Sequence, residues 1–318
     1  MYKRIIYIPQ YPAPMRYPEW HISEFKKEFK KHFDEVIILG DTTKTLTKDE
    51  HLKYGNIFSP IELSIQYELN QMQEYIELGI KNDDVLYLAD LSFPGFFSNI
   101  LHHKKPQCYA YCHATSINNY DYFQPVRKSK WKVECGQSKL FDKIFIGSEY
   151  HKNKLGWNNV EVVALPEPPF KFDIYYNKNH FKTIDITSVS RPTKQKVNLK
   201  LEKLVEKNYG KIVREKFSNW YSYYLHLMNS KVLIITTREE TFGYQAMDAI
   251  LMGCIPIAPN KFSYPELLPR EYLYDNEDEL LNIIEKALTE KLEVPKLLCQ
   301  EKVNGFYKNI CEVMKRDN

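Results

Sequence analysis

Two carboxylates separated by seven residues, Glu240 and Asp248, flank a stretch of the sequence that could bind a phosphate. An apolar run at 232–235 precedes them and predicts a buried parallel strand, and a helix is predicted to begin near Phe242 and Gly243. The backbone N–H groups at the start of a helix lack partners within the helix and favour negative charge. Because this start follows the carboxyl end of a strand, the sequence predicts a phosphate-binding site there.

The residues after this predicted phosphate-binding site complete a strand–helix–strand unit. Met247, Ile250 and Leu251 give the helix an apolar stripe, and Gly253 is predicted to end it. The next strand is predicted to start at 254–258. Both carboxylates therefore lie on a βαβ unit, one just before the helix and one two turns into it.

The segment 237–249 resembles the signature of the GT-B glycosyltransferases, in particular the large retaining family called GT4. That signature is a Glu, seven residues and a second Glu, written S-x-x-E-G-F-G-x-x-x-x-E-A. The corresponding residues here are T-R-E-E-T-F-G-Y-Q-A-M-D-A. Thr241 stands where the family has Gly, and Asp248 stands where the family has the second Glu.

This resemblance implies an α/β fold of the GT-B type, with two Rossmann-like domains, parallel sheets and a cleft between the domains. It implies transfer of a sugar from a UDP- or GDP-sugar, with retention of configuration, and without a metal, a cofactor or a side-chain nucleophile. Glu240 would hold sugar hydroxyls and Asp248 the ribose hydroxyls. The donor diphosphate would lie on the N–H groups of Thr241, Phe242, Gly243 and Tyr244.

A second pair of charges follows the strand predicted at 184–189. GT4 enzymes have G-R-x-x-x-x-K-G at this point, and Arg191 and Lys196 occupy the Arg and Lys positions, with Ser190 and Val197 in place of the glycines. A leaving nucleoside diphosphate accumulates negative charge, which two fixed cations stabilise. We therefore predict that Arg191 and Lys196 bind the donor diphosphate.

His113 follows the strand predicted at 107–112 and lies at its carboxyl end, where ligands bind in parallel sheets. In the resembling families a His after this strand often faces the transferred sugar. His113 therefore joins Glu240, Arg191 and Lys196 as a predicted catalytic residue. The alternative is a histidine that only caps a strand.

A polar and aromatic loop is predicted over 114–136. Interleaved cations and aromatic rings suit a nucleic-acid backbone with an exposed base. The predicted acceptor-binding residues are Tyr120, Tyr122, Arg127, Lys128, Lys130 and Trp131. The leading acceptor is a hydroxymethylated base in DNA, which would have to be flipped out of a duplex.

Other interpretations of the same residues stay open. An envelope saccharide or a lipid-linked glycan is the alternative acceptor, and the basic loop would otherwise keep the protein soluble or contact anionic lipid. A non-catalytic GT-B protein that binds a ligand without turnover is the alternative of another class. A Rossmann oxidoreductase is excluded because no G-x-G-x-x-G follows the first predicted strand.

Composition adds few constraints. The net charge of +3 argues neither for nor against a polyanionic partner, and no apolar run approaches the ~20 residues that span a bilayer. Because the N-terminus is also too short for a signal peptide, a cytoplasmic protein is predicted. Cys108 and Cys112 fall on one face of a predicted strand and are interpreted as buried core thiols, since no C-x-x-C pair supports zinc binding.

Short apolar strands alternate with helical segments, as in a doubly wound parallel sheet. The proline-rich stretch 166–169 predicts a stiff boundary. We predict an N-terminal, acceptor-side domain over 1–167 and a reduced, donor-side domain over 168–300. A last helix, predicted within 295–314, would return the segment 301–318 to the first domain.

Overall fold

The computed structural model describes residues 4–11, 16–42, 60–91, 106–119, 127–169, 181–190, 196–217 and 219–316. Arg191, Tyr120 and Tyr122 lie outside these residues. The chain forms two compact units. The first draws its described residues from 1–147, 152–169 and 304–318, and the second from 148–151 and 170–303.

The described strands follow the apolar runs of the sequence. They are β1 (Arg4–Ile8), β2 (Glu35–Ile38), β3 (Val85–Leu88), β4 (Gln107–Tyr111), β5 (Lys143–Ile146), β6 (Val160–Val162), β7 (Ile184–Thr187), β8 (Ser230–Ile234), β9 (Ile255–Pro259) and β10 (Leu273–Tyr274). The first unit holds a parallel sheet in the order β2-β1-β3-β4-β5-β6, and the second a parallel sheet in the order β10-β9-β8-β7. Continuous apolar strands suit such sheets because both faces are covered.

The described helices connect and cover these strands. They are α1 (Arg16–Phe29), α2 (Pro60–Leu78), α3 (Arg127–Gln137), α4 (Glu149–Leu155), α5 (Leu199–Tyr209), α6 (Trp220–Met228), α7 (Tyr244–Leu251), α8 (Tyr264–Leu267), α9 (Glu277–Leu288), α10 (Gln300–Asn304) and α11 (Phe306–Arg316). Among them, none is long and apolar enough to cross a membrane.

Aromatic rings fill one face of the first sheet. Tyr7 of β1 lies 5.4 Å from Phe25 of α1 and 5.6 Å from Tyr87 of β3, measured between ring centroids. Helix α11 completes this layer, since Phe306 lies 5.8 Å from Phe25. Lys315 Nζ of α11 also lies 2.8 Å from His32 Nδ1, just beyond α1. The last helix therefore packs within the first unit.

The opposite face of the first sheet is aliphatic and includes both thiols of β4 and its exit. Cys108 and Cys112 are buried in one cluster with residues such as Ile6 and Ile144. Burial raises the pKa of the Cys108 thiol to about 12, so that this thiol stays protonated at neutral pH. The prediction of two buried core thiols is confirmed.

Two parts of the sequence prediction were wrong in detail. Helix α3 occupies 127–137, most of it within the predicted loop. Its many basic residues obscure an inward face, on which Trp131 and Glu134 lie three residues apart. The last predicted helix does not begin until Gln300 and is interrupted at Gly305. In the second unit, Val213 makes a parallel bridge to Thr187, the last residue of β7, and so forms a short strand remnant at the edge of the sheet.

A buried ion pair fixes the amino edge of the first sheet. Arg4 donates from Nε to Asp84 Oδ1 at 2.8 Å and from Nη2 to Asp84 Oδ2 at 2.5 Å. The same carboxylate accepts the backbone N–H of Lys81 at 2.7 Å. The hydrogen bonds to Asp84 raise the pKa of Arg4, against the opposing effect of burial. The pair joins the start of β1 to the turn before β3.

Replacing Arg4 tests the importance of this pair. Arg4→Met leaves the buried Asp84 carboxylate without its cation, and we expect a loss of about 3–5 kcal/mol in the free energy of unfolding of the first unit. Chemical denaturation followed by circular dichroism measures this loss. Lys27→Met, which breaks the exposed Lys27–Glu24 pair, is the matched control and should unfold as the wild type does. Equal stability of both variants would contradict the assigned role.

Candidate functional site

The turn between β8 and α7 positions the first group of predicted site residues. Gly243 precedes α7 with φ of 101°, a conformation that L side chains rarely adopt. A Cβ atom there would lie 2.9 Å from Tyr264 Cε1 and 3.0 Å from Leu267 Cδ1. Helix α7 starts at Tyr244 without a side-chain cap. Backbone freedom and close packing therefore both require glycine at this position.

Glu240 lies just before this turn and folds back on it. Its Oε1 atom accepts the backbone N–H of Thr241 at 2.9 Å and that of Phe242 at 3.5 Å. The carboxylate is half-buried and lies close to Tyr264. Burial, and secondarily the negative charge of Glu240, raise the pKa of Tyr264 well above its usual value. Two amides predicted to bind a phosphate are thus hydrogen bonded to an anion of the chain itself.

Lys196 reaches the same turn through its backbone. Segment 196–198 pairs antiparallel with 236–238: the N–H of Asn198 donates to the Thr236 carbonyl at 2.8 Å, and the N–H of Arg238 donates to the Lys196 carbonyl at 3.2 Å. This pairing brings two motifs that are more than forty residues apart to one edge of the second sheet. Arg191 lies outside the described residues.

The residue before Arg191 is also tied to α7. Ser190 Oγ donates to Gln245 Oε1, in the first turn of that helix, at 2.9 Å. Ser190 and Lys196 flank the segment 191–195, and both are bonded to the residues around the Glu240 turn. The two predicted donor-binding motifs therefore form one cluster in the second unit.

An ion pair between half-buried Arg214 and buried Glu202, which the sequence prediction missed, supports this cluster. Arg214 follows the strand remnant at Val213, donates from Nη1 to the Ser190 carbonyl at 2.9 Å and pairs with the Glu202 carboxylate. Glu202 in turn accepts Thr236 Oγ1 at 2.9 Å. The pair holds the exits of β7 and β8 together. No motif marked it, since the partners come from a helix and a short strand remnant.

Asp248 occupies a different environment from Glu240. Its side chain is fully buried; Oδ2 accepts the Tyr223 hydroxyl and Oδ1 the Tyr224 hydroxyl, each at 2.8 Å. These tyrosines lie on α6, which the sequence had not connected with the motif. The contact of Asp248 with a ribose stays a prediction.

The positions where the chain departs from the family signature do not require glycine. Thr241, Ser190 and Val197 are not among the residues with positive φ, which include Gly243. Larger side chains are therefore compatible with the backbone at the three positions where the family has glycine. The glycine that the geometry does require is present.

His113 lies in the first unit, two residues beyond β4. It is buried, and its ring centroid lies 4.4 Å from Tyr111 and 6.0 Å from His21. The loop that follows is anchored by Glu134 of α3, which accepts both the N–H of Ser116 at 3.0 Å and the Ser116 hydroxyl at 2.5 Å. Burial raises the pKa of Glu134, although Ser116 and Lys130 act in the opposite direction.

The predicted acceptor-binding residues that the structure describes lie on α3 and differ in environment. Trp131 packs against the core and stacks on Trp157, with centroids 5.6 Å apart. Lys130 Nζ lies 3.5 Å from Glu134, and Arg127 Nη2 donates to the Ile117 carbonyl at 3.0 Å. Lys128 is exposed. Their role in acceptor binding stays a prediction, and the packing gives Trp131 a structural role as well.

No protein-family model matches this sequence. The tRNA-queuosine alpha-mannosyltransferase of Drosophila melanogaster is 34% identical over 110 residues, which are 34% of this chain and 26% of that protein. The match thus spans about a quarter of the length of the relative.

Within the described part of the chain, no group of three or more His, Cys, Asp or Glu side chains could hold a metal ion.

Solved structures match over nearly the whole chain. The lipopolysaccharide outer core galactosyltransferase WaaB, in its apo form, has a TM-score of 0.62 at 12% identity and covers 99% of this chain and 100% of its own. HepE of Anabaena, solved in complex with UDP, has a TM-score of 0.56 at 11% identity and covers 98% of this chain and 95% of its own. At these identities the likeness shows the fold, and the predicted GT-B architecture is confirmed.

The hydrogen bonds to Asp248 can be tested without any substrate. Tyr223→Phe and Tyr224→Phe each remove one hydroxyl from a buried carboxylate, and we expect each to lower the free energy of unfolding by about 1–3 kcal/mol. Tyr221→Phe, on the same helix but 60% exposed, should leave it unchanged. Denaturant titration of the three variants measures the difference. If all three unfold as the wild type does, the two hydroxyls do not stabilise Asp248.

Proposed function

We propose that this chain, which has the GT-B fold, is a glycosyltransferase that moves a sugar from a UDP- or GDP-sugar to an acceptor hydroxyl, with retention of configuration. The observation that carries the proposal is the pairing of 196–198 with 236–238. It joins the lysine of one GT4-like motif to the strand exit that leads to Glu240 of the other. The bond between Ser190 and Gln245 makes a second connection between the same motifs.

The chemistry of donor cleavage explains why these residue types are needed. When the bond between the sugar carbon and the phosphate oxygen breaks, the electron pair stays with the departing diphosphate. Lys196, Arg191 and the amides of 241–244 would stabilise that charge, as preorganised donors do in water-poor sites. The acceptor oxygen would bond to the sugar carbon and give its proton to the departing phosphate oxygen, so that no side-chain nucleophile is required.

Glu240 and Asp248 would bind the rest of the donor. Glu240 would leave the Thr241 and Phe242 amides when the diphosphate binds, and its carboxylate would then accept sugar hydroxyls. Asp248 would reach a ribose by exchanging a tyrosine hydroxyl for a ribose hydroxyl. His113 is proposed to face the transferred sugar, because it lies at the carboxyl end of β4, where parallel sheets bind their ligands.

The alternative of a binding protein without turnover draws support from the lost family glycines. That support is weak, because Thr241, Ser190 and Val197 lie at positions where the backbone does not need glycine. The charged side chains that transfer needs, Glu240 and Lys196 among the described residues, are all present. Catalysis is therefore the function that we propose.

For the acceptor we propose a hydroxyl on a modified nucleobase, with a hydroxymethylated base in DNA as the first candidate. Two observations support a nucleic acid: Lys128 and Lys132 are exposed on one helix, and the Drosophila relative is named for its action on tRNA queuosine. Exposed lysines contribute to nucleic-acid affinity through phosphate contacts. The name of WaaB, a lipopolysaccharide galactosyltransferase, favours the saccharide acceptor that remains the alternative.

Donor binding and cleavage test the proposal on the second unit. Lys196→Ala should lose about 2–4 kcal/mol of transition-state stabilisation, as enzymes do when one such donor is removed, and Glu240→Gln should nearly abolish turnover. Release of free sugar from UDP- and GDP-sugars, with and without EDTA, measures this, and EDTA should have no effect. Lys203→Ala, an exposed lysine of α5, is the matched control. Wild-type turnover by Lys196→Ala would overturn the assignment of Lys196.

The acceptor is tested separately with labelled donor sugar. We expect label in duplex DNA that contains 5-hydroxymethylcytosine, and compare it with total tRNA and with lipopolysaccharide. Binding of the same DNA should weaken with salt, by ~0.9 in log K per phosphate neutralised, and Lys128→Ala with Lys132→Ala should flatten that slope. If only tRNA is labelled, the acceptor is a nucleobase of RNA rather than of DNA. Label in the saccharide alone would overturn the nucleobase acceptor.

A further inference from the structure

The order of strands in the first sheet defines a place where ligands bind. The chain goes from β1 to the edge strand β2 and then returns to the other side of β1 with β3, so that the sheet order is β2-β1-β3-β4. In open parallel sheets, ligands bind outside the carboxyl ends of the strands where the order reverses. In this unit the reversal lies between β1 and β3.

Polar residues occupy corresponding positions at this edge. Gln10 lies two residues beyond β1, Asp90 two residues beyond β3 and His113 two residues beyond β4. Since Ile8 pairs with Leu88, Gln10 and Asp90 lie opposite each other. Neither was singled out in the sequence, because they are eighty residues apart and no motif marks them.

Gln10 and Asp90 form a hydrogen bond that also orients the glutamine. Gln10 Nε2 donates to Asp90 Oδ2 at 2.6 Å, and Asp90 is 7% exposed. A carboxylate accepts only from the NH₂ end of an amide, so the Gln10 carbonyl must point elsewhere. Its Oε1 atom is buried and has no hydrogen-bond partner among the described residues. A buried polar atom in this state calls for a ligand or a water molecule.

The backbone around the pair is held on both sides. The N–H of Ala89 donates to the Ile8 carbonyl at 2.9 Å, and that of Leu91 donates to the Tyr111 carbonyl at 2.7 Å, so that Asp90 lies between two anchored residues. Gln71 of α2 donates from Nε2 to the carbonyls of Pro9 and Leu39, at 3.0 and 2.9 Å. The exits of β1 and β2 are thus fixed, as preorganised sites require.

The chemistry of the pair selects a class of ligand. The Asp90 carboxylate and Gln10 Oε1 both accept hydrogen bonds, so the ligand must present donors. The carboxylate would repel a phosphate, so this subsite and the proposed diphosphate site of the second unit would take different ligands. Hydroxyl and amino groups offer O–H or N–H donors to both atoms.

We propose that Gln10 and Asp90 form an acceptor subsite, which binds O–H or N–H donor groups of the acceptor. This inference rests on the proposed glycosyltransferase function and assigns its acceptor side to two residues of the first unit. Asp90 accepts a hydrogen bond from one of these groups and Gln10 Oε1 accepts one from another. Gln71 is a positioning residue that acts through the backbone of Pro9.

Three variants test the subsite. Asp90→Asn and Gln10→Ala are compared with Asp142→Asn, the same chemical change at a carboxylate that accepts the Cys108 amide at the opposite edge of the sheet. The readouts are the affinity for UDP and GDP by calorimetry, and KM for the nucleic acid or saccharide that takes up labelled sugar. Where only water accepts the sugar, the readout is the rate of free-sugar release. Thermal unfolding checks that each variant folds.

We expect Asp90→Asn to raise the acceptor KM, or to slow sugar release, by about 10- to 100-fold, the usual effect of losing a hydrogen bond to a charged group. Gln10→Ala should act in the same direction, and nucleotide affinity should not change. Asp142→Asn should behave as the wild type. If Asp90→Asn and Gln10→Ala lower thermal stability but keep the acceptor kinetics, the subsite holds only structural water and the inference is overturned. Absence of nucleotide binding and turnover in the wild type would instead overturn the proposed function, and this inference with it.

Discussion

The arrangement of the second unit depends on one close contact, between the backbone of Gly243 and the ring of Tyr264. Any side chain at 243 would collide with that ring. Tyr264 is itself held by its hydroxyl, 3.0 Å from Thr237 Oγ1, while the neighbouring Ser263 donates to the Phe242 carbonyl at 2.8 Å. The exit of β8 and the entry of α7 are therefore locked to the segment after β9.

The two carboxylates of the motif, Glu240 and Asp248, lie in different environments. Glu240 is half-buried and accepts backbone amides that a diphosphate would also bind, so that the orientation of Glu240 and the occupancy of the amides are linked. Asp248, by contrast, is fully buried on α7 and accepts hydrogen bonds from two tyrosine hydroxyls. The two carboxylates of the motif thus have different freedom to move, although the sequence presents them as a pair.

The sequence predicted what local patterns specify. Apolar runs predicted strands that the structure contains, among them β4, β7, β8 and β9. The motif placed a glycine at 243, and the structure shows why one is needed there. The tyrosine partners of Asp248 and the pair Arg214–Glu202 could not be predicted, because they join elements whose packing is set by the tertiary fold. Helix α3 was missed because a charged sequence with few apolar residues has a weak helical period.

The same distinction applies to the first unit. His113 could be singled out from the sequence because it follows a strand directly, whereas Gln10 and Asp90 required the order of strands, which adjacent residues do not encode. A bond between residues eighty positions apart becomes visible only when β1 and β3 are known to be neighbours. Single-sequence patterns therefore locate charged residues at strand ends but do not show which of them meet.

The central claim is that the second unit binds a nucleoside diphosphate at the Glu240 turn, and a crystal structure with UDP or GDP tests it most directly. The account predicts the diphosphate within hydrogen-bond distance of the amides of 241–244 and of Lys196 Nζ, with the Glu240 carboxylate displaced from Thr241. A nucleotide bound elsewhere, with Glu240 still on the Thr241 and Phe242 amides, would contradict it.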